Sequence, residues 1–309
     1  MKTIATLTMN PTIDGACKAE RVFHTHKIRT SGDRYDPGGG GINVARVLAR
    51  LDCPVRAFYL AGGATGAVLD HLLDAQGLDR VRMDVAGNTR ISMAVLEHAT
   101  GREYRFVPEG PMLSEAEWAG ALDRLAHIEC DYLVASGSLP RGVPVDFYAR
   151  IGAMAARKGI RFVLDSSGES LKAGLDAGGV FLAKPSAGEF EQLTGRSFDT
   201  PAAIGEAARD LVQAGKAAHL AVTMGHLGAV LATADGFWHL PAIKLEVKSA
   251  VGAGDSFLAA MTCAFAHGRD ARTAFRYGMA AGTAAVMSPG TDLCHKEDID
   301  RLFHDMEGM

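Results

Sequence analysis

Two glycine-rich segments, far apart in the chain, hold the residues best suited to chemistry. One is Ala250-Val-Gly-Ala-Gly-Asp-Ser256, which runs directly into the apolar helical stretch Phe257–Ala266. Glycine lets backbone N–H groups approach a ligand closely. A glycine turn that opens a helix aims those donors, and the positive end of the helix dipole, at one point, and so makes an anion site. Asp255 stands in that first turn. A carboxylate there either caps the helix or takes a proton from an attacking hydroxyl, and spacing alone leaves both open. The other segment is Pro37-Gly-Gly-Gly-Gly-Ile-Asn-Val-Ala-Arg46, four glycines ahead of an amphipathic helix. It reads as a flexible loop with Asn43 at its surface, or as a backbone cradle for a polyhydroxylated ligand whose hydroxyls Asn43 would bond. Neither segment is G-x-G-x-x-G. The chain also lacks G-x-x-x-x-G-K-[ST] and the H-R-D and D-F-G set, so dinucleotide and P-loop fingerprints are absent.

Two further carboxylates need a setting. Asp14 is expected to close the first strand, either as a turn former or facing the ligand crevice at the carboxyl edge of a parallel sheet. Lys184-Pro-Ser-Ala-Gly-Glu189 ends another strand and opens a helix. Glu189 there either favours the helix dipole or organises Mg²⁺ through water, since that ion keeps much of its hydration.

The elements that must carry these residues alternate. Strand patterns at Val55–Leu60, Tyr132–Ala135, Arg161–Leu164, Val180–Ala183 and Leu220–Thr223 are separated by helical patterns at Ile42–Leu51, Val68–Ala75, Glu115–Ile128, Val145–Lys158 and Ala202–Ala214. Such alternation predicts an α/β fold, a mainly parallel sheet with helices on both faces. Ser114-Glu-Ala-Glu117 is a capping box, and Thr200-Pro201 sets a cap before a first-turn proline. Two segments, about 12–36 and 88–107, break the pattern. Val22–Arg29 alternates like a half-exposed strand, and Arg90–Glu97 with Glu103–Val107 reads as two strands around Thr100-Gly101. They predict a small β lid on a single domain spanning 1–309, with no linker or repeat.

The formal net charge of −4 offers no basic patch for nucleic acid. No apolar run nears the ~20 residues of a spanning helix, and the N-terminus does not resemble a signal peptide. The five cysteines include no C-x-x-C pair. Free thiols in a cytoplasmic protein are therefore expected, with Cys263 as a small core residue.

In order along nearly the whole chain, Asp14, the glycine cluster with Asn43, Gly62-Gly-Ala-Thr-Gly66, Ser136-Gly-Ser138, Lys184-Pro and Gly252-Ala-Gly-Asp255 resemble the phosphofructokinase B (PfkB) branch of the ribokinase-like sugar kinases. The resemblance implies a ribokinase-like fold with a lid that pairs two subunits as a homodimer, and ATP and Mg²⁺ as cofactors. It implies Asp255 as catalytic base and Gly252, Ala253 and Gly254 as the anion hole for the transferring phosphoryl group. It places Asp14, Gly39, Asn43 and Ser138 on the sugar and Lys184, Thr223, Gly225 and Gly228 on the nucleotide, with Glu189 at the position of the family's metal-organising glutamate. The chain departs from the family where Ser186 replaces the asparagine of Asn-x-x-Glu, and where Ala250 replaces a threonine. Potassium is a candidate activator beside Ser249, Val251, Ala285, Ser288 and Gly290, where relatives offer backbone oxygens.

The substrate follows from charge. Lys27, Arg29, Arg90 and Arg105 put four cations on the expected lid strands, which suits an anionic sugar, and Lys27 and Arg90 coincide with phosphate-binding positions of phosphosugar members. Gly40 occupies the lysine position of the Gly-Gly-Lys-Gly form found in 1-phosphofructokinases and tagatose-6-phosphate kinases. The all-glycine form resembles the 6-phosphofructokinase subgroup and implies fructose 6-phosphate as acceptor. Those two other kinases are the alternatives, and a non-catalytic sugar-binding relative is a remote one.

Overall fold

The computed structural model describes residues 2–245, 248–288 and 292–306. The chain begins with β1 (Ile4–Thr8), β2 (Thr12–Ala19), β3 (Thr30–Gly38), α1 (Gly40–Arg50), β4 (Val55–Gly62), α2 (Gly63–Asp74) and β5 (Arg80–Val85). Next come β6 (Arg90–Glu97), β7 (Glu103–Phe106), α3 (Glu115–Ala126), β8 (Tyr132–Ser136), α4 (Phe147–Arg157), β9 (Arg161–Asp165), α5 (Gly168–Asp176), β10 (Val180–Ala183) and α6 (Ala187–Thr194). It closes with α7 (Pro201–Gln213), β11 (Ala217–Thr223), β12 (Ala229–Thr233), β13 (Gly236–Leu240), α8 (Ala253–Ala266), α9 (Ala271–Met287) and α10 (Lys296–Asp305).

Among the described residues these strands make a nine-stranded sheet, β13-β12-β11-β10-β9-β8-β1-β4-β5, and a four-stranded one, β3-β2-β6-β7. The large sheet is parallel from β5 to β11, with β12 and β13 as an antiparallel edge. Alternation along β8 shows how it is buried on both faces. Leu133 and Ala135 enter the layer formed with α3, α4, α5 and α7, while Tyr132 and Val134 enter the layer formed with α1, α8, α9 and α10. Strand side chains alternate between faces, so both layers need apolar residues in every central strand, and the predicted fold class holds. No helix among the described residues is long and apolar enough to cross a membrane.

Several expectations need correction. Asp14 does not close the first strand, which ends at Thr8, but lies within lid strand β2. The alternating run Val22–Arg29 is not a strand. It lies in the segment joining β2 to β3, where Thr25 takes a left-handed φ of 66° that a strand residue cannot hold. Lys27 and Arg29 therefore sit on this exposed connection, and of the four cations Arg90 and Arg105 alone stand on lid strands. The cysteines are not all free: Cys53 and Cys263 are joined as a disulfide, while Cys17, Cys130 and Cys294 are free thiols. The helical patterns are real but start earlier than predicted at α1 and α2, because their glycine-rich first turns belong to the helix.

The first turn of α1 lies almost against β1. A Cβ at Gly41 would stand 2.4 Å from Leu7 O and 2.5 Å from Thr8 Oγ1. Gly→Ala inside a helix ordinarily stabilises by roughly 0.5–1 kcal/mol. At Gly41 the sign should reverse: overpacking of this kind costs about 1–3 kcal/mol. Urea unfolding of Gly41→Ala checks this, and a midpoint at or above that of the wild type would show that the contact relaxes freely.

Candidate active site

The site gathers at the carboxyl ends of the parallel strands, where α1, α6 and α8 begin. Gly252 adopts the left-handed conformation (φ 74°) and serves as N-cap of α8, and no side chain caps the helix. Its φ>0 favours glycine here, and a Cβ would stand 2.3 Å from Leu293 Cδ2, so the leucine would have to turn aside. The capping reading of Asp255 therefore fails. Its carboxylate instead accepts a hydrogen bond from Asn43 Nδ2 at 2.8 Å, so the two glycine-rich segments meet through the side chains that follow them.

Asn43 is itself oriented. Arg46, one turn further along α1, donates from Nη1 to Asn43 Oδ1 (3.3 Å) and to Pro37 O (3.0 Å), and from Nε to Gln76 Oε1 (2.7 Å). Burial pulls the Arg46 pKa down to about 10, still charged at neutral pH. One buried guanidinium thus ties the entry of the glycine cradle to the amide that faces Asp255. Within the cradle, Gly40 is set by its neighbour: a Cβ would stand 2.2 Å from Ser136 Oγ and 3.0 Å from Ser136 C. A side chain at 40 therefore requires Ser136 to move.

Ser136 Oγ donates to Asp165 Oδ2 (3.2 Å), and Asp165 Oδ1 pairs with Lys184 Nζ at 3.1 Å, both side chains nearly buried. Reasoning from sequence missed Asp165. Its position at the carboxyl end of a parallel strand was the available signal. Burial opposes charge on Lys184, but Asp165 first and then Asp255 outweigh it and hold the ammonium protonated. The Asp255 side chain is only partly exposed. Loss of hydration, reinforced by the negative charge of Asp165, pushes its pKa up to about 6.

On the other side of Lys184, Ser186 and Glu189 form a capping box. Ser186 N and Oγ both donate to Glu189 Oε2 (2.7 and 2.8 Å), and Glu189 N donates to Ser186 Oγ at 3.3 Å. Thr223, at the end of β11, bridges to Ser186. The turn Gly225–Leu227 follows, and Gly228 has φ 91° with its Cβ position 2.0 Å from Leu240 O. Ser249 and Val251 lie on the segment entering α8: Val251 N donates to Ser249 Oγ (3.2 Å) and Lys248 N to Val286 O (2.8 Å). These residues thus sit beside the end of α9 with Ala285 and Ser288, while Gly290 lies outside the described residues.

The lid supplies the remaining residues. Register puts Thr12 opposite Arg90, Asp14 opposite Ser92 and Asp36, and Ala16 opposite Ala94, which pairs with Arg105. Asp14, Arg90 and Arg105 therefore share one lid face. Burial raises the Asp14 pKa against the pull of Arg105. A Cβ at Gly38 would fall on the Asp14 carboxylate, so a side chain there would require Asp14 to move. Gly39, with φ 104°, passes over Thr8 and Pro11, and a Cβ there would stand 2.8 Å from Thr8 Cγ2 and 3.0 Å from Pro11 Cα. Arg90 donates to Asn10 O (2.9 Å) and Pro108 O (3.0 Å), leaving Nε buried and unpartnered. The same Asn10 donates to Ser138 Oγ at 3.4 Å.

An uncapped helix start facing one buried ammonium, with a carboxylate beside it, is arranged for transfer of an anionic group to a hydroxyl. Residues 8–298 match the pfkB family carbohydrate kinases, and the chain belongs to that family, phosphotransferases acting on a sugar hydroxyl. It is 39% identical over 302 residues, 97% of this chain and 88% of the other, to the ATP-dependent 6-phosphofructokinase isozyme 2 of Mycobacterium tuberculosis. It is 31% identical over 286 residues, 92% of this chain and 93% of the other, to the 1-phosphofructokinase of Bacillus subtilis. The fold superposes on crystal structures of phosphofructokinase-2 from Escherichia coli. The potassium complex gives a TM-score of 0.94 at 36% identity and the fructose-6-phosphate complex 0.93 at 34%, each covering 99% of both chains.

If Asp255 is the base, it acts only when ionised. With its pKa raised to about 6, kcat/KM for the sugar at saturating ATP should fall about tenfold per pH unit below that value and level off above it. Asp255→Asn should abolish this acidic limb. A limb that persists in the variant would assign the titration to Asp165, Asp14 or the substrate's own phosphate, whose second pKa is about 6, instead.

Proposed function

We propose that this chain is an ATP-dependent 6-phosphofructokinase, which transfers the γ-phosphoryl group to the 1-hydroxyl of fructose 6-phosphate and yields fructose 1,6-bisphosphate. The observation that carries the reading is the Asn43–Asp255 hydrogen bond at the uncapped start of α8. It joins a carboxylate of raised pKa, an anion-binding turn and the sugar cradle in one place.

In this reading the sugar lies along Gly39, Gly40 and Asn43, with Asp14 and Ser138 on its other hydroxyls. Asp255 accepts the proton of the 1-hydroxyl as the new O–P bond forms. Backbone N–H groups of Gly252, Ala253 and Gly254 hold the charge that builds on the phosphoryl oxygens, where preorganised donors count for most. Lys184 adds its positive charge, and Thr223, Gly225 and Gly228 line the nucleotide side. Glu189 and Asp165, whose negative charges both favour the Lys184 ammonium, fit a hydrated Mg²⁺ held mainly by phosphates. When bound, the ion would neutralise phosphate charge. Glu189, taken up by the Ser186 cap, would reach it through water. The carbonyls around Ser249, Val251, Ala285 and Ser288 suit potassium, the ion of the Escherichia coli complex.

Arg90 and Arg105, on the lid face of Asp14, with Lys27 and Arg29 on the neighbouring connection, suit the sugar's existing phosphate. The opposite lid face supports a homodimer: Tyr35, Met93 and Phe106 fall in one cross-strand row through Gly15, and Tyr35, Ile91 and Phe106 are exposed. Gly40, in the position where the Gly-Gly-Lys-Gly form carries a lysine, favours fructose 6-phosphate over fructose 1-phosphate, and a side chain there would have to displace Ser136.

ADP release, measured across fructose 6-phosphate, fructose 1-phosphate, tagatose 6-phosphate, fructose and ribose, should give the highest kcat/KM with fructose 6-phosphate. A higher value for fructose 1-phosphate would replace this reading with the 1-phosphofructokinase. Asp255→Asn should lower kcat by roughly 10²–10⁴ with ATP binding retained, and near-normal turnover would make Asp255 structural. Arg90→Ala should weaken kcat/KM for fructose 6-phosphate about 10- to 150-fold through the loss of a charge-assisted contact. Most of that change should appear in KM, and residual activity on fructose should fall far less. Equal losses on both sugars would show that Arg90 serves only Asn10 and Pro108.

A further inference from the structure

Behind the site, the helices that begin in it meet again. Helix α1 ends in a Schellman arrangement: Asp52 takes a left-handed φ of 57°, Cys53 N donates to Leu48 O (3.0 Å), and Asp52 N donates to Ala49 O (3.1 Å). This cap fixes the direction in which the chain leaves the helix. It sets Cys53 against the last turn of α8, where Cys263 lies with Cα 6.5 Å away, within the span a disulfide bridges. Both sulfurs are in the buried layer between the helices. The exposed His267 lies beside the pair, its Nδ1 3.6 Å from Cys263 Sγ and 2.8 Å from Cys263 O, and Cys53 and Cys263 keep 5% and 3% of their surface exposed.

We propose that Cys53 and Cys263 are a reversible thiol-modification site, oxidised by a small disulfide such as glutathione disulfide, and that the bond clamps α1 to α8 from behind the active site. One cysteine thiolate attacks a sulfur of glutathione disulfide and releases a glutathione thiolate. The second cysteine then displaces the other glutathione and closes the protein S–S bond. Two electrons pass from the protein to the oxidant, and the two thiol protons leave on two molecules of glutathione. The same two helices are tied at their starts by Asn43 and Asp255. Oxidation therefore fastens both ends of one helix pair, across a sequence separation of 210 residues, and such long closures restrict the unfolded chain most. The link to catalysis rests on the kinase reading. The bond itself does not, so the test uses no activity measurement.

The full-length protein is reduced, equilibrated with glutathione disulfide, and examined by intact mass, non-reducing peptide mapping, thermal melting and hydrogen exchange. Expected are the loss of two hydrogens, a crosslinked peptide containing Cys53 and Cys263, and a Tm higher by roughly 5–15 °C than that of the reduced form. Slower exchange is expected at the amides of 252–256. Cys53→Ser and, independently, Cys263→Ala should each melt at the same temperature with and without reductant. Absence of the crosslink at every glutathione ratio, or equal melting of the oxidised and reduced protein, would overturn the proposal. So would stoichiometric Zn²⁺ binding by the reduced protein that blocks oxidation and needs both cysteines, since Cys53, Cys263 and His267 present donor atoms within 4.8 Å of one another.

Discussion

A carboxylate kept at the edge of ionisation organises this molecule. Asp255 has to lie where water is scarce and a second carboxylate, Asp165, is near, yet it must still be able to lose its proton. Two groups offset the cost directly: the Asn43 amide, through a hydrogen bond, and the Lys184 ammonium, through charge. Each is held by others. Arg46 orients Asn43, and Asp165, steadied by Ser136, anchors Lys184. Because these groups come from α1, β8, β9, β10 and α8, the charge balance requires the parallel strands to end level with one another, as their register provides.

Steric exclusion does as much as attraction. Gly38, Gly40, Gly41 and Gly252 each face an atom that a methyl group would strike: the Asp14 carboxylate, Ser136, the β1 backbone and Leu293. The glycine segments are thus surfaces pressed against the sheet, not slack loops. The shape of the glycine cradle is set by what lies behind it, and any side chain introduced at Gly40 is coupled to the residue at position 136.

This explains what was legible beforehand. Backbone demands are local, so the glycine blocks, the strand-helix alternation and the helix that follows Asp255 could all be read from neighbouring residues. Pairings between distant residues could not. Asp165 looks like any strand-end aspartate until β8 and β10 bring Ser136 and Lys184 to it, and Cys53 and Cys263 carry no sequence signal of their meeting. The lid misled for a different reason. Val22–Arg29 has the alternation of a strand but no partner, whereas β3, rich in charge and containing Gly32 and Pro37, is a strand because β2 pairs with it. Pairing overrode propensity there.

The lid's connectivity has a consequence for how the molecule assembles. β2 and β6 pair in parallel from Thr12 with Arg90 through to Ala19 with Glu97, and between them the chain lays down β3, α1, β4, α2 and β5. Half of the lid therefore leaves the ribosome well before its mate and waits as an unpaired ribbon while the first parallel strands dock. Such non-local closure comes late in folding. Asp14 and Arg90 come to share one lid face only once that closure, across β3, α1, β4, α2 and β5, is complete.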